Sequence, residues 1–259
     1  MTDAAVARVL VVVPTYDERD SLPGAIARLA EHVPDADVLV VDDGSPDGTA
    51  DLAEKLGEAD EATRGRRAVH VLRRTAKQGL GPAYLAGFGW ALERDYAVIV
   101  EMDADGSHRA EDLPLLLART GDAELVIGSR WVKGGRVVNW PLHREVLSRC
   151  ANTYTRLAIG MKVRDATAGF RAYRADLLRT LALDAVASQG YGFQVDMTLR
   201  TLRAGGRVVE VPITFVEREQ GVSKMSNGII LEAMLNVARW GIAERSRQVA
   251  GAFRRIAKR

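Results

Sequence analysis

Five short, continuously apolar runs alternate with helical segments across the first half of this chain, and that alternation limits its fold more than any other feature. The runs are Val9–Val13, Val38–Val41, Ala68–Leu72, Ala97–Met102 and Leu125–Ile127. Between them the spacing predicts helices at about Ser21–His32, Thr49–Leu56, Gly81–Arg94 and Ala110–Thr120. Runs that are short, β-branched and apolar at successive positions suit strands covered on both faces, as in a parallel sheet. Strands alternating with helices then imply right-handed βαβ units and a doubly wound α/β sheet flanked by helices.

In such sheets ligands gather at the carboxyl ends of the strands. Three polar clusters each follow a run directly: Pro14-Thr15-Tyr16-Asp17-Glu18, Asp42-Asp43-Gly44-Ser45 and Asp103-Ala104-Asp105. Asp103 and Asp105 stand two apart, so extended backbone projects both carboxylates from one side. Two hard anionic oxygen groups at that spacing can hold Mg²⁺ or Mn²⁺ together with a diphosphate. An isolated Asp-x-Asp is weak evidence, since acidic pairs at loop starts are common and mostly just solvated. Its weight here comes from the neighbouring clusters on the same predicted sheet edge.

Composition sets the outer limits. The chain has 259 residues, 47% hydrophobic and 27% charged, with a formal net charge of +2. That is ample for a large soluble core, and it is not the charge of a nucleic-acid-binding polycation. A single cysteine, Cys150, excludes an intrachain disulfide, suits a reducing compartment, and reads as a buried, inert thiol. The first residues, Met1-Thr2-Asp3-Ala4-Ala5-Val6, lack the basic start and apolar core of a signal peptide. No run reaches the roughly 18 apolar residues of a membrane span. The expectation is a cytosolic protein, or one lying against a membrane without crossing it.

The second half is less regular. Val146–Ile159 and Asp196–Arg203 read as helices, and Ala168–Arg174 as extended. Arg207–Glu217 is strand-like, with Pro212 inside it marking an edge strand or a bulge. Near the end, Ile230, Met234, Val237 and Gly241 form one stripe at helical spacing, beside Leu231, Leu235, Ala238 and Ile242. From Arg239 to Arg259 seven basic residues face one acidic residue, Glu244. Such an amphipathic, basic segment fits an anionic membrane surface or acidic partner. It fits equally a helix packed on the core with a solvated end.

Three tempting motifs fail on context. Gly79-Leu80-Gly81-Pro82-Ala83-Tyr84 has Tyr84 where a dinucleotide fingerprint needs its third glycine, and it does not follow a strand end. The stretch Asp43–Glu54 scans like a calcium loop but follows a strand rather than a helix. Asp47-Gly48 instead reads as a turn into a helix capped by Thr49. No Gly-x-x-x-x-Gly-Lys-Ser/Thr sequence is present, which removes the P-loop NTPases.

The remaining motifs occur together and in order: Pro14-Thr15-Tyr16-Asp17-Glu18, Val41-Asp42-Asp43-Gly44-Ser45-Pro46-Asp47-Gly48-Thr49, Met102-Asp103-Ala104-Asp105 and Gly128-Ser129-Arg130-Trp131. They are followed by Gly190-Tyr191-Gly192-Phe193-Gln194, Val211-Pro212-Ile213-Thr214-Phe215 and Arg218-Glu219-Gln220-Gly221-Val222-Ser223-Lys224. From Val9 to Lys224 the chain resembles the family 2 glycosyltransferases of GT-A fold, specifically the polyprenyl-phosphate (dolichyl-phosphate) mannose synthases. The Gln-x-x-Arg-Trp signature of processive polysaccharide synthases is absent, which favours transfer of a single sugar.

The resemblance implies a catalytic domain over residues 1–228 and a membrane- or partner-facing tail over 229–259. It implies that Pro14, Tyr16, Glu18, Val41, Asp42 and Asp43 line the nucleotide pocket, with Asp42 or Asp43 accepting hydrogen bonds from base or ribose. Asp103 and Asp105 would carry Mg²⁺ or Mn²⁺, with Ala104 packed near the ribose. Relatives with Gln in place of Ser107 have a third metal ligand that serine supplies poorly, so water would complete the shell here. Arg218 and Lys224 would reach the sugar diphosphate, and Arg130, Arg144 and Ser148 the acceptor phosphate, because guanidinium forks match phosphate oxygens. For Arg144 and Ser148 an ordinary surface role stands alongside, and His108 reads as a supporting or helix-start residue rather than a metal ligand.

The implied reaction moves mannose from GDP-mannose to polyprenyl phosphate with inversion, giving a β-linked product. Asp105, Arg130, Arg218 and Lys224 are the implied catalytic set. The acceptor is already an anion, so no strong general base is needed. The implied location is peripheral, at the cytoplasmic face of a membrane, and a reversible helix anchor leaves room for a membrane-embedded partner protein. The alternatives are a sibling using a UDP-sugar, a nucleotidyltransferase releasing pyrophosphate, and a noncatalytic nucleotide-binding or membrane-scaffolding module.

Overall fold

A computed structural model describes residues 8–66, 68–186, 190–217 and 234–247. The five predicted runs become β1 (Val9–Thr15), β2 (Asp37–Asp42), β3 (Val69–Arg73), β4 (Val98–Glu101) and β5 (Leu125–Ser129). Between them lie α1 (Leu22–His32), α2 (Thr49–Arg64), α3 (Leu80–Leu92) and α4 (Leu113–Leu117). A turn of 3-10 helix at Ala110–Asp112 precedes α4, where Pro114 occupies the first turn and forfeits no hydrogen bond. The second half adds β6 (Arg136–Val138), α5 (Leu142–Ile159), β7 (Arg171–Arg174), α6 (Ala175–Thr180), α7 (Tyr191–Arg203), β8 (Val208–Pro212) and β9 (Thr214–Val216). Residues 234–247 are helical and are called α8.

The main sheet has seven strands in the order β3-β2-β1-β4-β7-β5-β8. All neighbours are parallel except β7, which runs antiparallel between β4 and β5. A separate parallel pair joins β6 to β9. The strand-like stretch Arg207–Glu217 is two strands, not one. Pro212 ends β8, which is an edge of the sheet, so its missing N–H breaks no interior ladder.

The unbroken apolar runs are explained by burial on both faces. Leu10, Val12, Leu39, Val41, Ile99, Leu125 and Ile127 point to one side, under Tyr84 and Phe88 of α3 and Phe193 and Met197 of α7. Val11, Val13, Val38, Val40, Val100 and Val126 point to the other, under Leu22 and Leu29 of α1 and Leu113 and Leu116 of α4. Helix α3 crosses β1 at Gly87, where a Cβ would stand 2.4 Å from Val12 Cγ1. That contact brings the helix close enough for Tyr84 to reach the end of β4.

Helix α5 buries Asn152, Thr155 and Ile159, three and four apart, and leaves the rest of its circumference outward. Cys150 lies off that stripe and is exposed, not buried. Helix α8 sits on α5: the Tyr154 hydroxyl donates to Met234 O at 3.3 Å and Arg245 Nη2 to Leu157 O at 3.0 Å. Of the two stripes read from the tail, Val237 and Gly241 are buried, whereas Met234, Leu235 and Ile242 are exposed. Ile230, Leu231 and residues 248–259 lie outside the described residues.

Candidate functional site

Loops after β1, β2, β4 and β5 meet at one edge of the sheet, as the topology requires. The β1 and β2 loops are sewn together: Asp17 N–H donates to Ser45 Oγ at 3.1 Å, Glu18 N–H to Thr49 Oγ1 at 3.1 Å and Arg19 N–H to Asp47 Oδ2 at 3.1 Å. Gly48, not Thr49, is the N-cap of α2, and Thr49 is its first helical residue. Just before the cap, Asp47 Oδ1 accepts both the amide of Thr49 at 2.9 Å and the Thr49 hydroxyl at 2.5 Å.

Pro14 and Tyr16 are half-buried at the head of β1, and Lys77 Nζ stands 3.9 Å from the centroid of the Tyr16 ring. Glu18 Oε2 accepts from the Ser21 hydroxyl at 2.8 Å. Asp42 is buried and spends its carboxylate on its own loop, accepting from Thr15 Oγ1 at 3.0 Å, Gly44 N at 3.1 Å, Ser45 N at 2.9 Å and Ser45 Oγ at 2.5 Å. Asp43 pairs with Arg74 Nη1 at 2.5 Å and accepts from Gln78 N at 3.3 Å. The Val41 side chain lies wholly in the core, and that of Ala104 is buried on the opposite face.

Asp103 and Asp105 flank Ala104 just past β4, both partly exposed. Tyr84 donates its hydroxyl to Asp103 Oδ1 at 3.2 Å. Burial first, and the Asp103 charge next, push the Tyr84 phenol well above its ordinary range, so it stays a donor. Asp105 Oδ1 accepts from Ser107 N at 3.0 Å across Gly106, whose φ of +77° makes the turn. His108 is buried, and its Nδ1 accepts the amide hydrogen of Asp103 at 3.1 Å. Through that bond His108 braces the turn.

Behind the pair lies a buried polar layer that the sequence did not disclose. Glu101, fully buried, has its carboxyl pushed up to about 7 by burial, against the opposing pull of Arg171 and Gln194. Gln194 Nε2 donates to Glu101 Oε2 at 2.8 Å. Arg171 is entirely buried on β7 and donates to Ala168 O at 2.7 Å, Ala166 O at 2.7 Å, Gln194 O at 2.9 Å and Thr198 Oγ1 at 3.0 Å. This lashes β7 to the loop before it and to α7.

Arg130, at the end of β5, is 5% exposed and turned inward. Its Nε and Nη2 form a fork on Asp165 at 2.8 and 2.7 Å, and Nη2 also reaches Thr167 Oγ1 at 3.1 Å. Asn152 of α5 donates to the same Asp165 and Thr167 oxygens at 3.3 and 2.9 Å. The Arg130 guanidinium lies 5.3, 5.5 and 5.4 Å from the rings of Trp131, Trp140 and Phe215. Phe215 also touches His108, at 5.7 Å between centroids, so the aromatic wall joins the Asp103 turn. Arg144 pairs through Nη1 with Glu217 at 2.5 Å, and Ser148, one turn further along α5, is partly exposed. Arg218 and Lys224 lie outside the described residues.

Two carboxylates on one turn, partly open to solvent, are a donor set that suits Mg²⁺ or Mn²⁺, ions that take one or two protein carboxylates and fill their shell with phosphate and water. Among the described residues no cluster of three or more metal-ligating side chains occurs, so the remaining ligands would come from elsewhere. Tyr84 is foreshadowed only as a hydroxyl in the apolar stripe it shares with Phe88. Asp165 comes from a loop 35 residues beyond its partner Arg130, and nothing local marks it.

The chain is 59% identical over 238 residues to an undecaprenyl-phosphate mannosyltransferase of Micrococcus luteus, covering 92% of this chain and 96% of that one. It is 54% identical over 248 residues to a polyprenol monophosphomannose synthase of Mycolicibacterium smegmatis, covering 95% and 92%. Among solved structures, glucosyl-3-phosphoglycerate synthase from Mycobacterium tuberculosis, in complex with Mn²⁺, UDP-glucose and phosphoglyceric acid, superposes with a TM-score of 0.63 at 18% identity. That match covers 90% of this chain and 80% of the synthase, and establishes the shared fold. The match to glycosyl transferase family 2 over residues 10–182, which takes in the ends of β1, β2, β4 and β5, makes the chain a member of that family.

Proposed function

We propose that the protein transfers a single mannose from GDP-mannose to the phosphate of a polyprenol, inverting C1 to give the β-linked lipid phosphosugar. The observation that carries this reading is the likeness to two polyprenyl-phosphate mannose enzymes along nearly the whole chain. The Asp103–Asp105 turn supports it chemically, since departure of GDP builds negative charge where two carboxylates can hold a divalent cation. That cation, when bound, would neutralise the leaving diphosphate.

The protein's own residues would bind and orient. Asp103 and Asp105 hold the cation and through it the diphosphate, with Tyr84 and His108 fixing the turn. Tyr16, with Lys77 above it, and Asp43, held by Arg74, offer a ring and an acceptor for the nucleoside. Asp42 is committed to its loop, so its part is to shape the pocket. Arg218 and Lys224 are assigned to the sugar diphosphate. Arg130, forked on Asp165, sets the aromatic wall, and the acceptor phosphate falls to Arg144 and Ser148, displacing Glu217 from Arg144. One phosphate oxygen of the acceptor attacks C1 as GDP leaves on the opposite side. The nucleophile is already charged, so positioning and charge neutralisation suffice without a general base. No helix among the described residues is long and apolar enough to cross a membrane, and we assign the protein a peripheral place at the cytoplasmic face.

The test is transfer of labelled sugar from GDP-mannose, with UDP-glucose in parallel, into organic-extractable polyprenyl phosphate, with Mn²⁺ or Mg²⁺ and with EDTA. Lipid-linked mannose that requires the metal and disappears in Asp105→Ala bears the proposal out. Transfer from UDP-glucose alone would overturn the donor, and metal-dependent GDP binding without turnover would overturn the enzyme.

A further inference from the structure

Beside the Arg130 network, α5 carries a second arginine cluster, whose Arg149, Arg156 and Arg164 have no part in the proposed transfer. Trp131, Arg149, Asn152, Thr153, Arg156 and Arg164 line a cavity of about 180 Å³. Residues 149, 152, 153 and 156 follow helical spacing, so one face of α5 supplies four of these six. Arg164 comes from the turn beyond the helix, where Glu210 holds the backbone N–H groups of Arg164 and Asp165, both at 2.8 Å. Arg164 is thus presented from a fixed turn.

The charge of this cavity is unlike that of the neighbouring site. Arg130 and Arg144 give nitrogens to Asp165 and Glu217. Around the cavity the described carboxylates supply one ion pair, Glu145 with Arg149 at 2.9 Å, and none to Arg156 or Arg164. Guanidinium groups gathered about one hollow repel each other unless an anion sits among them. Arg149 is further ordered by lying 4.0 Å from the centroid of the Trp131 ring. Trp131 adds an independent sign: its Nε1–H is buried and has no acceptor among the described residues. An unmet donor beside a cationic hollow fits an oxyanion, and planar guanidinium forks match phosphate in particular.

Apolar side chains exposed on α5 and α8 indicate where that phosphate comes from. On α5, Leu142 is 74% exposed and Leu157 64%, and on α8 Ile242 is 70% exposed. Leu157 follows Arg156 directly, and α8 is fastened to α5 through Arg245 and Tyr154. Exposed apolar side chains on the helix that carries an arginine hollow match a bilayer surface, with acyl chains beside anionic head groups. We propose that this cavity binds the phosphate of an anionic lipid head group, so that α5 and α8 together seat the protein on a bilayer. The proposal stands on the surface of α5 and not on the donor or acceptor assignment, so either reading can fail alone.

The test uses the full chain and a soluble lipid, dihexanoyl phosphatidylglycerol below its micelle concentration, with inorganic phosphate in a parallel titration. Tryptophan fluorescence reads binding, and Trp131→Phe assigns the signal to the cavity. The expected result is saturable binding of the lipid, at least tenfold weaker in Arg156→Gln/Arg164→Gln at unchanged melting temperature and partly restored in Arg156→Lys/Arg164→Lys. Sedimentation with phosphatidylglycerol vesicles should weaken in the same order, with phosphatidylcholine vesicles insensitive to the substitutions. Should the double variant melt early, the single Arg164→Gln variant, altered at an exposed turn, carries the comparison. Saturation by inorganic phosphate with no tighter binding of the lipid would keep a phosphate site but overturn its lipid source. Equal lipid binding by wild type and both glutamine variants would overturn the site.

Discussion

The two halves of the sheet's carboxyl edge treat charge in opposite ways. After β4, Asp103 and Asp105 accept from the Tyr84 hydroxyl and the Ser107 amide, and His108 accepts the Asp103 amide. Neutral donors fix a carboxylate's direction without cancelling its charge. After β5, Arg130 is forked on Asp165 and Arg144 is paired with Glu217, so the charges there are balanced within the protein. The first half fixes the directions of two carboxylates that suit a divalent cation, whereas the second half pairs its arginines with carboxylates of the protein. Asp43, after β2, is an exception among the acidic residues of the edge, being paired with Arg74.

The comparison breaks most easily at its most active point. Asp105→Ala should lower mannosyl transfer by on the order of 10³-fold, in the range seen when a group stabilising developing charge is removed. Its melting temperature should stay near wild type, because the carboxylate is partly exposed and sits on a turn. Transfer assays beside a thermal melt decide this, and a large drop in melting temperature would mean that the turn is structural after all.

Asp165→Ala tests the other half. Side-chain exposure in this pair is 6% for Arg130 and 0% for Asp165, so removing the carboxylate strands a buried cation. The expected loss is about 3–5 kcal/mol of stability. Adding Arg130→Met should recover a large part of it, since the stranded charge goes too. Denaturant unfolding of the single and double variants reads the difference. Recovery of stability without transfer would show that Arg130 also serves the reaction, whereas recovery of both would confine it to structure.

Between these extremes lies the scaffold. Gly87→Ala forces a Cβ against Val12 Cγ1, at 2.4 Å before relaxation. The overpacking should cost about 1–3 kcal/mol, again read by denaturant unfolding. Because α3 also carries Tyr84, the same shift should weaken transfer by a few fold in enzyme that remains folded.

How far the residues disclose this architecture depends on whether a signal is local. The apolar runs from Val9 to Ile127 predict their strands because burial on both faces leaves a continuous mark, and Pro212 marks an edge because it lacks an N–H. Asp103 and Asp105 are legible for the same reason, being bound to the end of a run. What stays hidden depends on contacts distant in sequence. The antiparallel insertion of β7 between β4 and β5 follows from pairing that Ala168–Arg174 does not encode locally, and a strand that opens on a buried Arg171 contradicts ordinary patterning. Arg130 reads as a phosphate fork because the sequence cannot reveal that Asp165 reaches it first.

The smallest effect is expected at Arg144, where the comparison is finest. Arg144 and Glu217 are each 23% exposed and joined at 2.5 Å, a pair between the buried Arg130–Asp165 fork and an ordinary surface contact. Partial exposure and competition from water make such a pair worth less than about 1 kcal/mol, so Arg144→Ala should barely move the unfolding midpoint. Kinetically it should differ from Asp105→Ala: KM for polyprenyl phosphate rises several-fold while kcat stays within a factor of about three, the signature of lost binding rather than lost transition-state stabilisation. Glu217→Gln should act in the opposite sense, freeing Arg144 from a competing carboxylate and lowering KM. Steady-state kinetics with the lipid varied at saturating donor distinguish the two. If both substitutions leave KM unchanged, Arg144 belongs with Arg130 among the balanced charges, and the second half of the edge is structural throughout.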